Sequence, residues 1–337
     1  MRFNTCSALK TTARPMPILH CVFDTNIYRT LAPADLKRLR ELEATQAVQP
    51  IASYWPAIEL AAHVADPSDK AYGSARSALL RLWQHASTDS ETRTILPLVS
   101  DTDNMLAMGL FGEPLPNRAE EANSYAIMIG EFATAYPGPV PDDIQPLFKH
   151  LRDHVAAQEV EFAEDMWMIV RDLDPEATGW QPFPSNPELR NGLVEALRRE
   201  TFLRHLAEHR VRATATHLRR SVNPEDLTIL TDAVLKYFPT AMVFYRNLVI
   251  GIVQSGVDYR RSPKHMNSWW DLHLCFLVSR GARIDRVPTI LVTNEQKIRT
   301  AAVESGHADF LMSLPEYELL LKSDGVGALA GKLASWD

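Results

Sequence analysis

The sequence predicts an α/β fold with a central parallel sheet that is interrupted by a large all-helical insertion. Two short apolar segments, 17–23 and 288–293, have the composition of strands buried on both faces of a parallel sheet. Amphipathic helical patterns accompany both of them, and the middle of the chain contains helical patterns alone. We therefore predict one α/β domain made of residues 16–66 and 262–337, with residues 67–261 inserted into it.

The first part of this domain alternates between the two kinds of element. Segment 17–23 is β-prone and ends at an aspartate, and leucines spaced along 33–42 give one apolar face of a helix. Residues 50–54 form a predicted second strand. Residues 55–64 form a second helix, whose first turn tolerates Pro56. The order strand, helix, strand, helix is typical of a parallel sheet.

The C-terminal part resumes the same alternation. An apolar helix is predicted over 267–281, with Gly281 just beyond its end, where glycine is favoured. The strand 288–293 follows, and then a helix over 295–305. A last short strand over 310–312 precedes a final helix that begins at Pro315. The sheet is thus predicted to draw its strands from both ends of the chain.

The middle of the chain has no strand signal and no repeat of fixed period. Two proline-rich stretches, 136–141 and 174–187, are predicted loops. Amphipathic patterns predict helices around them, over 71–85, 118–134, 144–173, 188–220 and 224–238.

Composition limits the classes of protein to which the chain can belong. Its 337 residues carry a net charge of −7, which excludes a uniformly basic coat for nucleic acid but not a local basic patch. Three distant cysteines show neither a zinc pattern nor a disulfide framework, so we expect a reducing compartment. The leader 1–16 lacks the apolar run of a secretory signal, and no segment has the pattern of a membrane span. We expect a cytoplasmic protein without a membrane partner.

Four carboxylates occupy chemically informative positions. Asp24 and Glu295 follow the two predicted strands at their carboxyl ends, the edge of a parallel sheet where ligands bind. Glu59 lies on the helix after the second strand. Asp271 lies early on an apolar helix, where a carboxylate is costly to bury without a compensating partner. If the strands are neighbours, the four side chains converge at one edge of the sheet.

Such a cluster has a clear chemical use. Crowded carboxylates raise one another's pKa values, and a hard divalent cation removes that penalty. Oxygen ligands suit Mg²⁺ or Mn²⁺. An ion held in this way lowers the pKa of a bound water and stabilises charge on a leaving oxygen, which is the chemistry of phosphodiester hydrolysis. The sequence therefore predicts a metal-dependent hydrolase.

Four motifs resemble those of the PIN-domain nucleases, in order along the chain. Val22-Phe23-Asp24-Thr25-Asn26 is similar to the opening strand and Asp-Thr-Asn of that family. The segment 53–60 resembles the second motif around Glu59, and 267–272 resembles the third around Asp271. Val292-Thr293-Asn294-Glu295 resembles the fourth, where the family usually has Thr-x-Asp. The resemblance covers 16–65 and 264–320.

The resemblance implies a PIN-like three-layer fold and an Mg²⁺- or Mn²⁺-dependent endoribonuclease. The residues that match the family's acids would be metal ligands or would orient the attacking water, and they are Asp24, Glu59, Asp271 and Glu295. Thr25, Asn26 and Thr293 would support them by hydrogen bonds. The implied substrate is single-stranded or structured RNA, with DNA as the alternative. The chain departs from the family in having Glu295, which is one methylene longer than Asp, and in the length of its insertion.

A basic cluster precedes the helix of Asp271. It consists of Arg260, Arg261, Lys264 and His265, and we expect it to contact phosphates beside the acids. Three aromatic residues nearby have two interpretations, base stacking or packing in the core: Tyr259, Trp269 and Trp270.

Other functions remain open at this stage. Each acid taken alone is most simply a turn, cap or surface charge. A catalytically inactive PIN-like scaffold that binds RNA or protein would share the four motifs, and a protein partner or a homo-oligomer would suit the long insertion. A phosphatase with an aspartyl-phosphate intermediate needs Asp-x-Asp-x-Thr, but Asn26 and Tyr28 replace the second and third of these residues.

Overall fold

A computed structural model defines the fold. The described residues are 16–89, 94–173, 175–176, 185–257, 259, 263–279, 283–284 and 287–335. Within them the chain is mostly helical, with a small central sheet. The predicted α/β class with a parallel sheet is confirmed, whereas the PIN-like arrangement of layers and the division into domains stay predictions.

The central sheet joins strands from both ends of the chain in the order β2-β1-β8-β7, and β9 also pairs with β8. All of its pairings are parallel except the hairpin of β7 and β8. The strands of the described residues are β1 Leu19–Phe23, β2 Val48–Pro50, β3 Ala52–Ser53, β4 Thr88–Asp89, β5 Thr94–Ile95, β6 Leu98–Val99, β7 Arg283–Ile284, β8 Val287–Val292 and β9 Leu311–Met312.

The pairing of β1 with β8 positions the acids. Their register sets Phe23 opposite Val292, so both strands end at the same level of the sheet. The backbone N–H of Asp24 continues the ladder by donating to Val292 O at 3.0 Å. Every residue of β1 is buried, including His20, as a run that is apolar at its other four positions predicts. Residues that follow the two strands therefore emerge side by side.

Fifteen α-helices surround the sheet within the described residues. They are α1 Thr25–Thr30, α2 Pro33–Thr45, α3 Tyr54–Val64, α4 Tyr72–Ala86, α5 Thr102–Leu106, α6 Arg118–Ala135, α7 Gln145–Leu173, α8 Pro187–Leu197, α9 Glu200–His217, α10 Pro224–Tyr237, α11 Pro239–Ser255, α12 Pro263–Cys275, α13 Gln296–Glu304, α14 Leu314–Lys322 and α15 Gly325–Ala334. A π-helical turn, Ala107–Phe111, and a 3₁₀ turn, Ala308–Phe310, complete them.

The predicted insertion and the sheet share one continuous hydrophobic core. Helix α3, which carries Glu59, packs against α4 and α7 of the middle segment and against α12. Helix α11 is mostly buried and packs against α8, α9, α12 and α13. The middle segment thereby supports the helices that hold two of the four acids.

The prediction that the middle segment is all-helical is wrong. Strand β6 pairs in parallel with β3, and β4 pairs with β5 as a short antiparallel ladder. The backbone groups of β3 need partners beyond the central sheet, and β6 supplies them. Strands this short carry too few residues to show an alternating pattern, which explains why the sequence did not predict them.

Several predicted boundaries also change. The strand predicted over 50–54 is two shorter strands, and Tyr54 already belongs to α3. The helix predicted over 188–220 breaks at Arg198 and Arg199, which lets α8 and α9 both pack on α11. The helix predicted over 267–281 is α12, and Gly281 lies outside the described residues.

Helix α11 was not predicted, although its composition is strongly apolar. It follows α10 directly, and the two helices are bent by 90° where they meet. Within the described part of the chain, no single helix is long and apolar enough to cross a membrane, and only this bent pair reaches that limit when its two members are taken together.

Candidate functional site

Asp24 lies where β1 ends and α1 begins, with 4% of its surface exposed. The Thr293 hydroxyl donates to Asp24 Oδ2 at 2.7 Å, and this bond joins the ends of β1 and β8. The pKa of Asp24 is raised to about 7, mainly by burial. The Thr293 bond opposes this rise, and the charges of Glu59 and Glu295 add to it.

Glu59 lies on α3 and faces the start of α1. The Thr25 hydroxyl donates to Glu59 Oε2 at 2.6 Å, and Arg29 Nη2 forms an ion pair with Glu59 Oε1 at 3.1 Å. Thr25 and Arg29 are one turn apart on α1, so both reach the same carboxylate. The helix that begins at Asp24 therefore fixes the direction of Glu59.

Glu295 follows β8 and is the N-cap residue of α13. Its backbone N–H donates to Thr293 Oγ1 at 3.0 Å, and Asn26 Nδ2 donates to Glu295 Oε1 at 2.5 Å. Thr293 consequently accepts a bond from Glu295 while it donates to Asp24. The three residues that the resemblance assigned to support, Thr25, Asn26 and Thr293, each hydrogen-bond one of the acids.

Asp271 lies on α12 and is half-buried. Its pKa is raised to about 8, mainly by burial and then by the negative charges of Asp24 and Glu295, and the charge of Lys297 opposes this rise. Glu59 adds a smaller rise. Asp271 therefore lies within electrostatic reach of the other three acids, although it comes from a distant part of the sequence.

The four carboxylates interact through their charges but are not in close contact. Among the described residues, no three of them have ligand oxygens that all lie within 4.8 Å of one another. Mg²⁺ usually keeps several waters and takes one or two protein carboxylates. The spacing thus matches a hydrated ion with few direct ligands better than a closed cage.

Sequence reasoning missed three charged residues at this site. Glu159 on α7 accepts from Trp270 Nε1 at 3.3 Å; burial raises its pKa, and the charge of Glu59 adds to that rise. Arg29 pairs with Glu59, and the charge of Lys297 acts on Asp271. Glu159 lies on a long amphipathic helix without any motif, so nothing in its local sequence distinguishes it. Lys297 is only two residues beyond Glu295, which is a signal that could have been used.

The predicted phosphate-binding cluster is described only in part. Arg260 and Arg261 lie outside the described residues, and Lys264 lies in the first turn of α12. His265 is partly buried, and its Nδ1 has no hydrogen-bond partner among the described residues.

The three aromatic residues near this cluster are buried. Tyr259, Trp269 and Trp270 expose 4%, 5% and 7% of their surfaces. Trp269 and Trp270 pack edge-to-face with each other at 4.5 Å, and Trp269 makes the same kind of contact with Trp55 of α3 at 5.1 Å. The tryptophans are therefore core residues that join α12 to α3, and they have little surface for base stacking.

A second group of potential metal ligands lies in the core. Cys21, Glu43 and His85 are buried, and their ligand atoms lie within 4.8 Å of one another. Glu43 Oε1 is 2.9 Å from His85 Nε2 and accepts from the Tyr317 hydroxyl at 2.7 Å. Burial raises the pKa of the Cys21 thiol. A metal ion is geometrically feasible there, but the same hydrogen bonds already connect β1 to α2, α4 and α14.

Comparison of the chain with protein-family models, with curated proteins and with solved structures gave no match.

Proposed function

We propose that the chain is a metal-dependent endoribonuclease that hydrolyses RNA phosphodiester bonds with Mg²⁺ or Mn²⁺. The main support is one observation. Four carboxylates from distant parts of the sequence lie within reach of one another's charges near the carboxyl edge of a parallel sheet, and burial together with mutual repulsion raises the pKa of two of them, Asp24 and Asp271, to about 7 and 8. Such an arrangement is costly for the fold, and a bound divalent cation would remove the cost.

The donor set fits this cation. Its candidate ligands are carboxylate oxygens, which hard cations prefer, and they include no thiol or imidazole. We assign Asp24 and Asp271 as direct ligands because burial and neighbouring negative charges disfavour their ionised forms, and a bound cation would reverse this effect. When bound, the ion would supply charge for a phosphate oxygen and a more acidic water.

The surrounding side chains have separate tasks in this proposal. Thr293 holds Asp24, and Asn26 holds Glu295. Thr25 and Arg29 hold Glu59. The acids that do not bind the ion directly would orient the attacking water by accepting its hydrogen bonds.

Arg29 forms an ion pair with Glu59, and Lys297 acts through its charge on Asp271. Each has an exposed surface from which it can also reach a phosphate. Their positive charge would bind the strand whose backbone is cut, with no preference for base sequence.

The test is cleavage of a labelled single-stranded RNA by the purified protein with Mn²⁺. We expect cleavage that EDTA stops and that Asp24→Asn or Asp271→Asn abolishes. Asp142→Asn, at an exposed position of the middle segment, is the matched control and should cleave normally. Cleavage that persists in EDTA or in both site variants would exclude the mechanism.

The same assay separates the alternatives. A parallel reaction with single-stranded DNA decides whether cleavage requires the ribose of RNA. An inactive scaffold that binds RNA predicts retention of the labelled strand without any product at saturating Mn²⁺.

A further inference from the structure

A cavity of about 300 Å³ lies between α11, α12 and α13, next to the acids. Its apolar wall includes Phe244, Leu248 and Tyr259, and its polar wall includes His265 and Lys297. This volume is near the lower end of the range for small-molecule sites, which is roughly 300–1,000 Å³. An apolar wall with a few polar groups is typical of such sites.

Gly251 keeps this cavity open. It lies inside α11, where glycine is less favourable than alanine because it loses more conformational freedom. A Cβ built at Gly251 meets no atom within 4 Å, so no close contact between helices requires glycine there. The missing side chain instead leaves space at the cavity wall.

The cavity and the acids share neighbouring residues. Ser268 lines the cavity and lies three positions before Asp271 on α12, so both are on the same side of that helix. Lys297 also lines the cavity, donates to Ser268 Oγ at 3.2 Å, and acts through its charge on Asp271. A phosphate at Lys297 would therefore be adjacent to both the cavity and the proposed metal site.

One polar atom in the cavity wall has no partner. His265 Nδ1 is buried and makes no hydrogen bond to any described residue. A buried polar atom in this state is unfavourable unless another group pairs with it. A small rotation of the imidazole ring would expose this atom to the cavity, where the polar edge of a bound ligand would pair with it.

We propose that this cavity binds one nucleobase of the RNA strand, next to the phosphate that is cleaved. A base has flat apolar faces for the cavity wall around Val257, which is only partly buried, and polar edge atoms for His265. The phosphate that follows it carries the negative charge that Lys297 attracts. The inference rests on the proposed function, since the acids give the reason for a nucleic-acid strand at this place.

Binding without cleavage tests the cavity. The probes are a fluorescein-labelled strand of ten uridines and a strand of the same length and charge whose residues lack bases. Both are titrated by fluorescence anisotropy in EDTA, with all proteins carrying Asp24→Asn so that no product forms. We expect the uridine strand to bind more tightly than the abasic one.

Gly251→Leu fills the cavity and should weaken binding of the uridine strand at least about fivefold, the lower end of what the loss of one stacked base costs. Binding of the abasic strand should not change. Gly192→Leu is the matched control, since Gly192 is also inside a helix with no atom within 4 Å of a built Cβ and lies outside the cavity. Thr300→Phe blocks the cavity from an exposed position, so it covers the case in which Gly251→Leu fails to fold.

The two proposals can fail separately. If Gly251→Leu and Thr300→Phe bind the uridine strand as tightly as their parent, or weaken the abasic strand equally, the cavity does not hold a base, whatever the cleavage assay gives. Failure of both strands to bind also overturns the inference. If the uridine strand is bound through the cavity but the chain with intact acids never cleaves it in Mn²⁺, the nuclease proposal alone fails.

Discussion

Replacement of Asp271 by asparagine should stabilise the folded protein at neutral and alkaline pH. The carboxyl group of Asp271 has its pKa raised from 3.8 to about 8 by burial and by the three other acids. The folded state therefore binds a proton more tightly than the unfolded state does. Ionisation of this group as the pH rises opposes folding, whereas an asparagine never ionises.

The size of the effect follows from the shift. A difference of about four pKa units at roughly 1.4 kcal/mol per unit gives an upper bound of about 5 kcal/mol at pH 8. Asp271 is only half-buried, so water and side-chain rearrangement reduce this value. We expect Asp271→Asn to raise the free energy of unfolding by about 2 kcal/mol at pH 8, and by much less at pH 5.

The direction of the pH dependence is a separate check. Because the folded-state pKa lies above the ordinary value, the stability contributed by protonated Asp271 is present at low pH and is lost as the pH rises toward about 8. The difference between variant and parent should thus grow from pH 5 to pH 8.

Urea unfolding followed by circular dichroism, in EDTA at both pH values, measures this difference. Asp142→Asn controls for the loss of one charge. Destabilisation by Asp271→Asn at pH 8, or a gain that does not depend on pH, would refute the argument that repulsion among the acids raises this pKa.

Three further predictions concern the same molecule. Thr293→Val removes the bond that lowers the pKa of Asp24, so this pKa should rise above about 7. Calorimetric titration at pH 7 should then show weaker Mn²⁺ binding. Unchanged affinity would contradict the role of that bond. Glu43→Ala leaves the buried His85 and Tyr317 without their shared acceptor. It should lower the free energy of unfolding in urea by about 3 kcal/mol. A loss below about 1 kcal/mol would show that this hydrogen-bond network contributes little to stability. Glu159→Gln removes a negative charge near Glu59. It should change the rate of Mn²⁺-dependent cleavage and leave the melting temperature within a few degrees of the parent value. Identical cleavage rates would place Glu159 outside the site.

The fold class could be predicted from the sequence because the two main strands have strongly apolar local sequences. The apolar run of β1 and the strand before Thr293 are buried and adjacent, as their composition indicates. The two short strands Ala52–Ser53 and Leu98–Val99 were beyond prediction, since two residues carry no periodicity and their pairing depends on tertiary contacts. The split of the predicted helix 188–220 likewise depends on packing against α11.

The sequence predicted only part of the candidate site. Asp24 and Glu295 converge because each follows a strand of the same parallel pair, which a sequence pattern can show. The contribution of Glu159 depends on how a long helix of the middle segment crosses α12, and local sequence does not encode that crossing. The metal, the activity and the RNA substrate stay predictions, because the geometry gives the acids and their repulsion but not their occupant.

A crystal soaked in Mn²⁺ and measured for anomalous scattering tests the central claim most directly. The account predicts a peak between Asp24 and Asp271, bound to their carboxylate oxygens at about 2 Å and completed by waters. A crystal with no peak at these acids at saturating Mn²⁺, or with its only peak at Cys21, Glu43 and His85, would contradict it.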